Sequence, residues 1–149
     1  MIWGAFSSKG ISSLALLNSM QDSAAYCTTL ENYFLPFAYC YHDDSFVFMQ
    51  GGASIHRSNL THSRLYQLEI NLLPWPSRSP DLNPIENVWG HLARAVYANG
   101  RQFTSRDSLV DAIQQCWNGI ALQYCNSLIS SMPNRCLKAI VRSGDLTGY

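Results

Sequence analysis

Short apolar segments separated by turn residues dominate the first half of the chain and predict β-strands. Residues 2–6 and 11–17 flank the turn sequence Ser-Ser-Lys-Gly, and they therefore predict a hairpin. Residues 45–50 predict another strand, which stops at two glycines. Residues 70–73 predict a short strand that stops at a proline.

Apolar residues at helical spacing predict helices between these strands and through the second half. Residues 19–35 predict a helix that Pro36 ends. Residues 55–68 predict a weakly amphipathic helix. Two later helices are predicted over residues 104–118 and 122–141, and a proline should kink or divide the second of them.

The clearest predicted helix follows a proline-rich loop. Four prolines lie between residues 74 and 84, a density that predicts a stiff, extended segment. Asn83 is a good N-cap, Pro84 suits the first helical position, and Glu86 completes an Asn-x-x-Glu capping box. Apolar side chains then recur on one helix face until an Asn-Gly pair ends the helix.

This order of elements predicts an α/β fold with a small sheet and a helical C-terminal extension. The 149 residues suffice for one domain with its own core. Charged residues make up only 13% of the chain, and ten Lys and Arg balance ten Asp and Glu. This composition argues against a freestanding basic nucleic-acid binder and against a disordered chain. It predicts a poorly soluble surface, as of a chain without its partner.

The cysteines and the apolar runs bear on the cellular compartment. The five cysteines form no Cys-x-x-Cys pair, and no secretory signal opens the chain, which together favour reduced thiols in an intracellular protein that is not secreted. Cys40 and His42 have no second ligand pair at zinc spacing. No run of about 18 apolar residues is present, so no membrane span is predicted.

The proline-rich loop and the helix after it resemble a known family. The signature of mariner-superfamily transposases, in their Tc-one-like branch, is similar to residues 79–89, which read SPDLNPIENVW, and to LPWP at 73–76. Shorter matches lie on both sides, at residues 3–7, 97–101 and 131–136. The likeness therefore covers nearly the whole chain.

This resemblance implies a ribonuclease-H-like core and DDE-type chemistry. Members of the family cut and rejoin transposon DNA in the nucleus, with three carboxylates that hold two Mg²⁺ or Mn²⁺ ions. Hard divalent cations prefer carboxylate oxygens, and a pair of ions stabilises both the attacking and the leaving oxygen. The third carboxylate of the family matches Glu86 in this chain.

The second carboxylate of the family is expected at position 51 and is missing there. In this branch 34 residues separate the second and third carboxylates, and counting back from Glu86 reaches Gly51. The family motif Gln-Asp-Asn-Ala-Pro-Ile-His reads QGGASIH here, so Gln50 and His56 match while Gly51 replaces the aspartate. Glycine has no side chain with which to bind a metal ion.

The resemblance also places two family features outside the chain. The first catalytic Asp is expected upstream of Trp3, and the N-terminal helix-turn-helix region that binds transposon ends is absent. Residues 1–149 are therefore interpreted as a catalytic domain without its first, central strand, so that the hairpin and the later strands flank an empty slot. Open strand edges of this kind predict marginal stability or pairing with another chain. One remaining carboxylate predicts no productive binding of Mg²⁺ or Mn²⁺.

The motif residues also have structural interpretations. Stabilisation of the helix N-terminus is enough to explain Glu86, and His56 can be a surface or structural residue. Asp81 and Asn83 can shape the loop through local hydrogen bonds. DNA-backbone contacts could come from dispersed arginines, namely Arg94, Arg101, Arg106 and Arg135.

A substitute carboxylate is the remaining route to an active site. Asp44 is a poor candidate, because it lies at the far end of a predicted strand, roughly 23 Å from position 51. Asp81 is a better one, since it lies near Glu86, but the two would form at most a weak mononuclear site.

Three functions follow from these observations. The first is a transposase-derived fragment that has lost its active site, with Glu86 as a vestigial, weak metal ligand. The second is a non-catalytic module that binds DNA or protein, as a homo-oligomer or paired with a full-length transposase. The third is an active nuclease with a rebuilt site. Because the first Asp is also missing, Gly51→Asp alone is not expected to restore activity.

Overall fold

The chain divides into two units, residues 1–80 and residues 81–149. The structure is a computed structural model, and it describes residues 1–18, 20–43, 46–76, 79–142 and 148. Unit 1 contains the strands that the structure describes, and unit 2 contains helices. The predicted order of mixed elements followed by helices is therefore confirmed.

Unit 1 contains two small sheets. β1 (Ile2–Trp3) and β2 (Ala15–Leu16) form the predicted antiparallel hairpin. β3 (Val47–Phe48) pairs in parallel with β4 (Asn71–Leu72). All four strands are shorter than the apolar runs predicted, and each sheet has only two strands within the described residues. Each strand therefore has one edge without a sheet partner there.

A long helical segment connects the two sheets and extends further than predicted. It consists of α1 (Ser23–Thr29), a π-helical turn (Leu30–Phe34) and α2 (Leu35–Tyr41). The prediction that Pro36 ends the helix is wrong. In the π-helical turn the Leu35 N–H donates to the carbonyl of Leu30, five residues back. Pro36 thus falls in the first turn of α2, where a missing N–H costs little.

The apolar core of unit 1 packs this helical segment against the end of β3. Phe34 lies against Phe48, with the two ring centroids 4.1 Å apart. The buried members of the core are Tyr26, Leu30, Phe34, Ala38, Phe48, Leu65 and Ile70. This packing fixes the strand that leads directly into the motif at residues 50–56.

The chain reaches β4 through a helix that is followed by a residue in the left-handed conformation. A 3₁₀ turn (Ser54–Arg57) precedes α3 (Asn59–Gln67). Beyond this helix Glu69 has a φ of 54°, and the Ile70 N–H donates to the carbonyl of Leu65 at 3.0 Å. This pattern is a Schellman motif, which normally favours glycine at the left-handed position.

The described residues of unit 2 form four α-helices. They are α4 (Pro84–Val96), α5 (Arg106–Asn118), α6 (Leu122–Ser130) and α7 (Met132–Val141), and 3₁₀ turns lie at Pro80–Leu82 and Ala98–Gly100. Pro133 lies in the first turn of α7, which confirms that it divides the last predicted helix. No helix in the described part of the chain is both long and apolar enough to span a membrane.

The core of unit 2 contains the predicted apolar face of α4. Val88, Leu92 and Val96 are buried along that face. Trp89 stacks on the buried Trp117 of α5, with ring centroids 5.2 Å apart. These two tryptophans pack within the fold and hold α4 against α5.

Candidate functional site

The loop after β3 is held by a buried polar side chain. Gln50 is buried, and its Oε1 accepts a hydrogen bond from the Tyr26 hydroxyl at 2.7 Å. Its Nε2 donates to the backbone carbonyl of His56 at 3.1 Å. Gln50 therefore ties both ends of the motif at residues 50–56 to helix α1.

Gly51 lies inside this hydrogen-bonded loop. Its carbonyl is 2.8 Å from Nδ1 of His56. Because a carbonyl can only accept, Nδ1 carries the proton and Nε2 carries the lone pair. Among the described glycines only Gly100 and Gly148 have a positive φ. The φ at position 51 therefore does not require glycine.

The side chains of His56 and Tyr26 pack against each other beside the loop. Their rings stack with centroids 4.4 Å apart. Burial lowers the pKa of His56, and its hydrogen bond to the Gly51 carbonyl only partly opposes this shift. Burial raises the pKa of Tyr26, and the neighbouring Trp3 side chain only partly opposes this shift. At neutral pH the side chains of His56 and Tyr26 are therefore both uncharged.

The sequence alone did not connect Tyr26 with the loop. It lies 24 residues before Gln50 in the chain, so no local motif joins the two. The available signal was a polar residue at the end of an apolar strand, since a buried amide requires hydrogen-bond partners.

The other motif segment lies in unit 2 and begins α4. Asn83 is buried, and its Oδ1 accepts from the Ile85 N–H at 3.4 Å. The Glu86 N–H donates to the carbonyl of Asn83 at 3.1 Å. Glu86 itself is exposed in the first helical turn, where the helix dipole favours a negative charge.

The predicted capping box is present only in part. Asn83 caps the helix, but it binds the amide of Ile85 and not that of Glu86. The hydrogen bonds found between described residues include no return bond from the Glu86 carboxylate to Asn83. The exposed side chain of Glu86 explains this difference, because water can solvate the carboxylate in place of a backbone amide.

Asp81 contributes a backbone carbonyl to the contacts of this segment. Its carbonyl accepts a hydrogen bond at 2.9 Å from Nη1 of Arg135, a side chain only 1% exposed. Because its side chain is buried, Arg135 cannot contact DNA in this structure, contrary to the expectation from the sequence. The other three, Arg94, Arg101 and Arg106, are exposed.

The structure groups the predicted site residues within the two units. Gln50, Gly51 and His56 lie together in unit 1, and Asp81, Asn83 and Glu86 lie together in unit 2. Asp44, the distant candidate for a substitute carboxylate, lies outside the described residues, as do the tip of the proline-rich loop and most of the C-terminal tail.

The residues present do not match the ligand set of a two-metal site. Among the residues that the structure describes, no group of three or more His, Cys, Asp or Glu could hold a metal ion. Gly51 has no ligand atom in a side chain, and Glu86 is a single exposed carboxylate. A pair of hard cations needs several oxygen ligands held together.

A sequence profile described as DDE superfamily endonuclease matches residues 11–110. The chain belongs to this family. It is 38% identical over its 149 residues to the Tc3 transposase of Caenorhabditis elegans and covers 45% of that protein. It is 34% identical to the Tcb2 transposase of Caenorhabditis briggsae and covers 54% of it. This DDE chain thus spans about half the length of these relatives.

Solved structures show the same fold. The Mos1 transposase catalytic domain, in a structure with raltegravir and Mn, aligns with a TM-score of 0.84 at 18% identity, over 97% of this chain and 75% of that one. A Mos1 paired-end complex with the left transposon end aligns at 0.83 and 20% identity, over 98% of this chain and 44% of that one. The DDE chain therefore has the ribonuclease-H-like fold that its sequence resemblance implied.

Proposed function

We propose that this DDE chain is part of an endonuclease domain of the type that cuts and integrates transposon DNA, and that its metal site is incomplete. The observation that carries the proposal is Gly51. It lies in the loop directly after β3, at the position where the family motif has its second carboxylate. In this proposal Glu86 is a vestigial ligand with weak affinity for Mg²⁺ or Mn²⁺.

The loss of one carboxylate is enough to remove activity. Two divalent ions bring four positive charges close together, and the carboxylates are what balances that charge. With glycine at position 51 one ligand is missing, whatever the remainder of a longer protein supplies. No cleavage step is therefore assigned to the residues of this chain.

The surroundings of both segments support a local loss of function and not a collapse of the fold. Tyr26, Gln50 and His56 still form a hydrogen-bonded and stacked frame around position 51. Asn83 still caps the helix that carries Glu86. The frame is retained and the ligand atom is missing.

A nicking assay tests this proposal. The chain is incubated with supercoiled plasmid in Mn²⁺, beside a Glu86→Gln variant and a sample with chelator. We expect the three to show the same background. Asp81→Asn serves as a further comparison, because Asp81 is the candidate substitute carboxylate. Mn²⁺-dependent nicking that Glu86→Gln abolishes would overturn the proposal.

A non-catalytic binding role is the second candidate, and the strand edges favour it. β1 and β3 belong to separate two-stranded sheets within the described residues, so their outer edges are open to a strand from another chain. In this role the chain would pair with itself, with a full-length transposase or with DNA, in the nucleus. Light scattering reports self-association, and fluorescence anisotropy with labelled DNA at 50 and 200 mM salt, roughly the range over which phosphate contacts weaken, reports DNA binding.

A further inference from the structure

Arg135 is a charged side chain buried inside unit 2. It projects from α7 and is 1% exposed. Removing a guanidinium from water is costly, and an apolar side chain of similar size often fills such a position at lower cost. The hydrogen-bond partners of Arg135 therefore indicate the structural role of its buried guanidinium.

The hydrogen bonds of Arg135 connect two distant parts of unit 2. Nη1 donates to the carbonyl of Asp81 at 2.9 Å, across 54 positions of sequence. Nε donates to Oγ of Ser131 at 2.8 Å, and that hydroxyl donates to the carbonyl of Leu128 at 2.6 Å. The turn between α6 and α7 is thereby joined to the backbone just before α4.

A second hydrogen bond joins α6 to α4. The Tyr124 hydroxyl donates to the carbonyl of Asn87 at 3.1 Å. The Tyr124 ring also packs against His91, with centroids 4.6 Å apart. Asn87 directly follows Glu86, and Asp81 precedes it by five positions, so the two bonds lie on either side of Glu86.

We propose that Arg135 and Tyr124 are positioning residues for Glu86. Both donate to backbone carbonyls, so they hold the main chain from which Glu86 projects. The importance of Glu86 as a carboxylate rests on the function proposed above. The positioning is measured on the backbone, however, and its result does not depend on metal binding or cleavage.

Amide hydrogen exchange, followed by NMR on the 149-residue chain, tests this inference. The reporters are the amides of residues 86–89, and the reference amides are those of residues 112–117 in α5. Loss of one hydrogen bond should speed exchange about fivefold. We therefore expect Tyr124→Phe to speed the reporters about fivefold and Arg135→Met at least as much, with the reference amides changed less than twofold.

Matched variants separate positioning from general stability. Tyr97→Phe removes an exposed hydroxyl from the same unit and should not move the reporters. Arg135→Lys should restore part of the protection. Equal acceleration of reporters and reference, or no acceleration, would overturn the inference. If Arg135→Met fails to fold, Tyr124→Phe alone decides the question.

Discussion

Glu69 occupies a backbone conformation that suits glycine better. Its φ of 54° places it in the left-handed region at the end of α3, where a side chain is strained. We expect Glu69→Gly to raise the free energy of unfolding by about 1 kcal/mol. Urea denaturation measures this change. Glu69→Ala retains the strain, so an equal gain from alanine would contradict the explanation.

His56 makes the stability of unit 1 depend on pH. Burial lowers its pKa in the folded protein below the ordinary value of 6.5, so the unfolded chain binds its proton first as the pH falls. The full stability is present above 6.5 and is progressively lost at lower pH. His56→Asn can retain a donor to the Gly51 carbonyl without titrating.

Urea denaturation at pH 7.5 and pH 5.5 measures this dependence. The wild-type chain should lose more stability than His56→Asn between these values. The same loss in both chains would show that His56 does not carry the pH dependence.

At the scale of elements, Tyr26 connects three parts of unit 1. From α1, its hydroxyl donates to Gln50 after β3 and its ring stacks on His56, while the same ring lies in the core. We expect Tyr26→Phe to lower the free energy of unfolding by about 1–2 kcal/mol, because the buried Gln50 amide loses a partner. Tyr66→Phe, at a side chain 86% exposed, should change it by less than about 0.5 kcal/mol.

Local signals allowed many elements to be predicted. The hairpin, the N-cap at Asn83 and the division at Pro133 each depend on residues close in sequence. The helix through Pro36 could not be predicted, because the π-helical turn that accommodates the proline has no short sequence motif.

The site shows the same division between local and distant contacts. The expectations for Gly51 and Glu86 rest on contiguous motifs that resemble those of the family. The partners of those segments were missed, because Tyr26 and Arg135 reach their carbonyl or amide partners across 24 and 54 positions of sequence. Hydrogen bonds at such separations depend on the packing of whole elements, which the order of residues alone does not reveal.

At the scale of the whole molecule, the sparse charge and the short strands have a common consequence. Strands of two residues with open edges contribute few interstrand hydrogen bonds, and the chain has a formal net charge of zero. We expect a thermal midpoint below about 50 °C, with self-association that grows with concentration. Circular dichroism and light scattering measure these properties. A sharp, reversible transition of a monomer at high temperature would contradict this expectation.

In the function proposed above, glycine at position 51 leaves the metal site of this DDE chain incomplete. Calorimetric titration with Mn²⁺ tests this proposal on the wild-type chain and on the Gly51→Asp and Glu86→Gln variants. We predict binding by the wild-type chain no tighter than about 1 mM, and tighter binding by Gly51→Asp because a second carboxylate is added. Micromolar binding of Mn²⁺ by the wild-type chain, lost in Glu86→Gln, would contradict the claim.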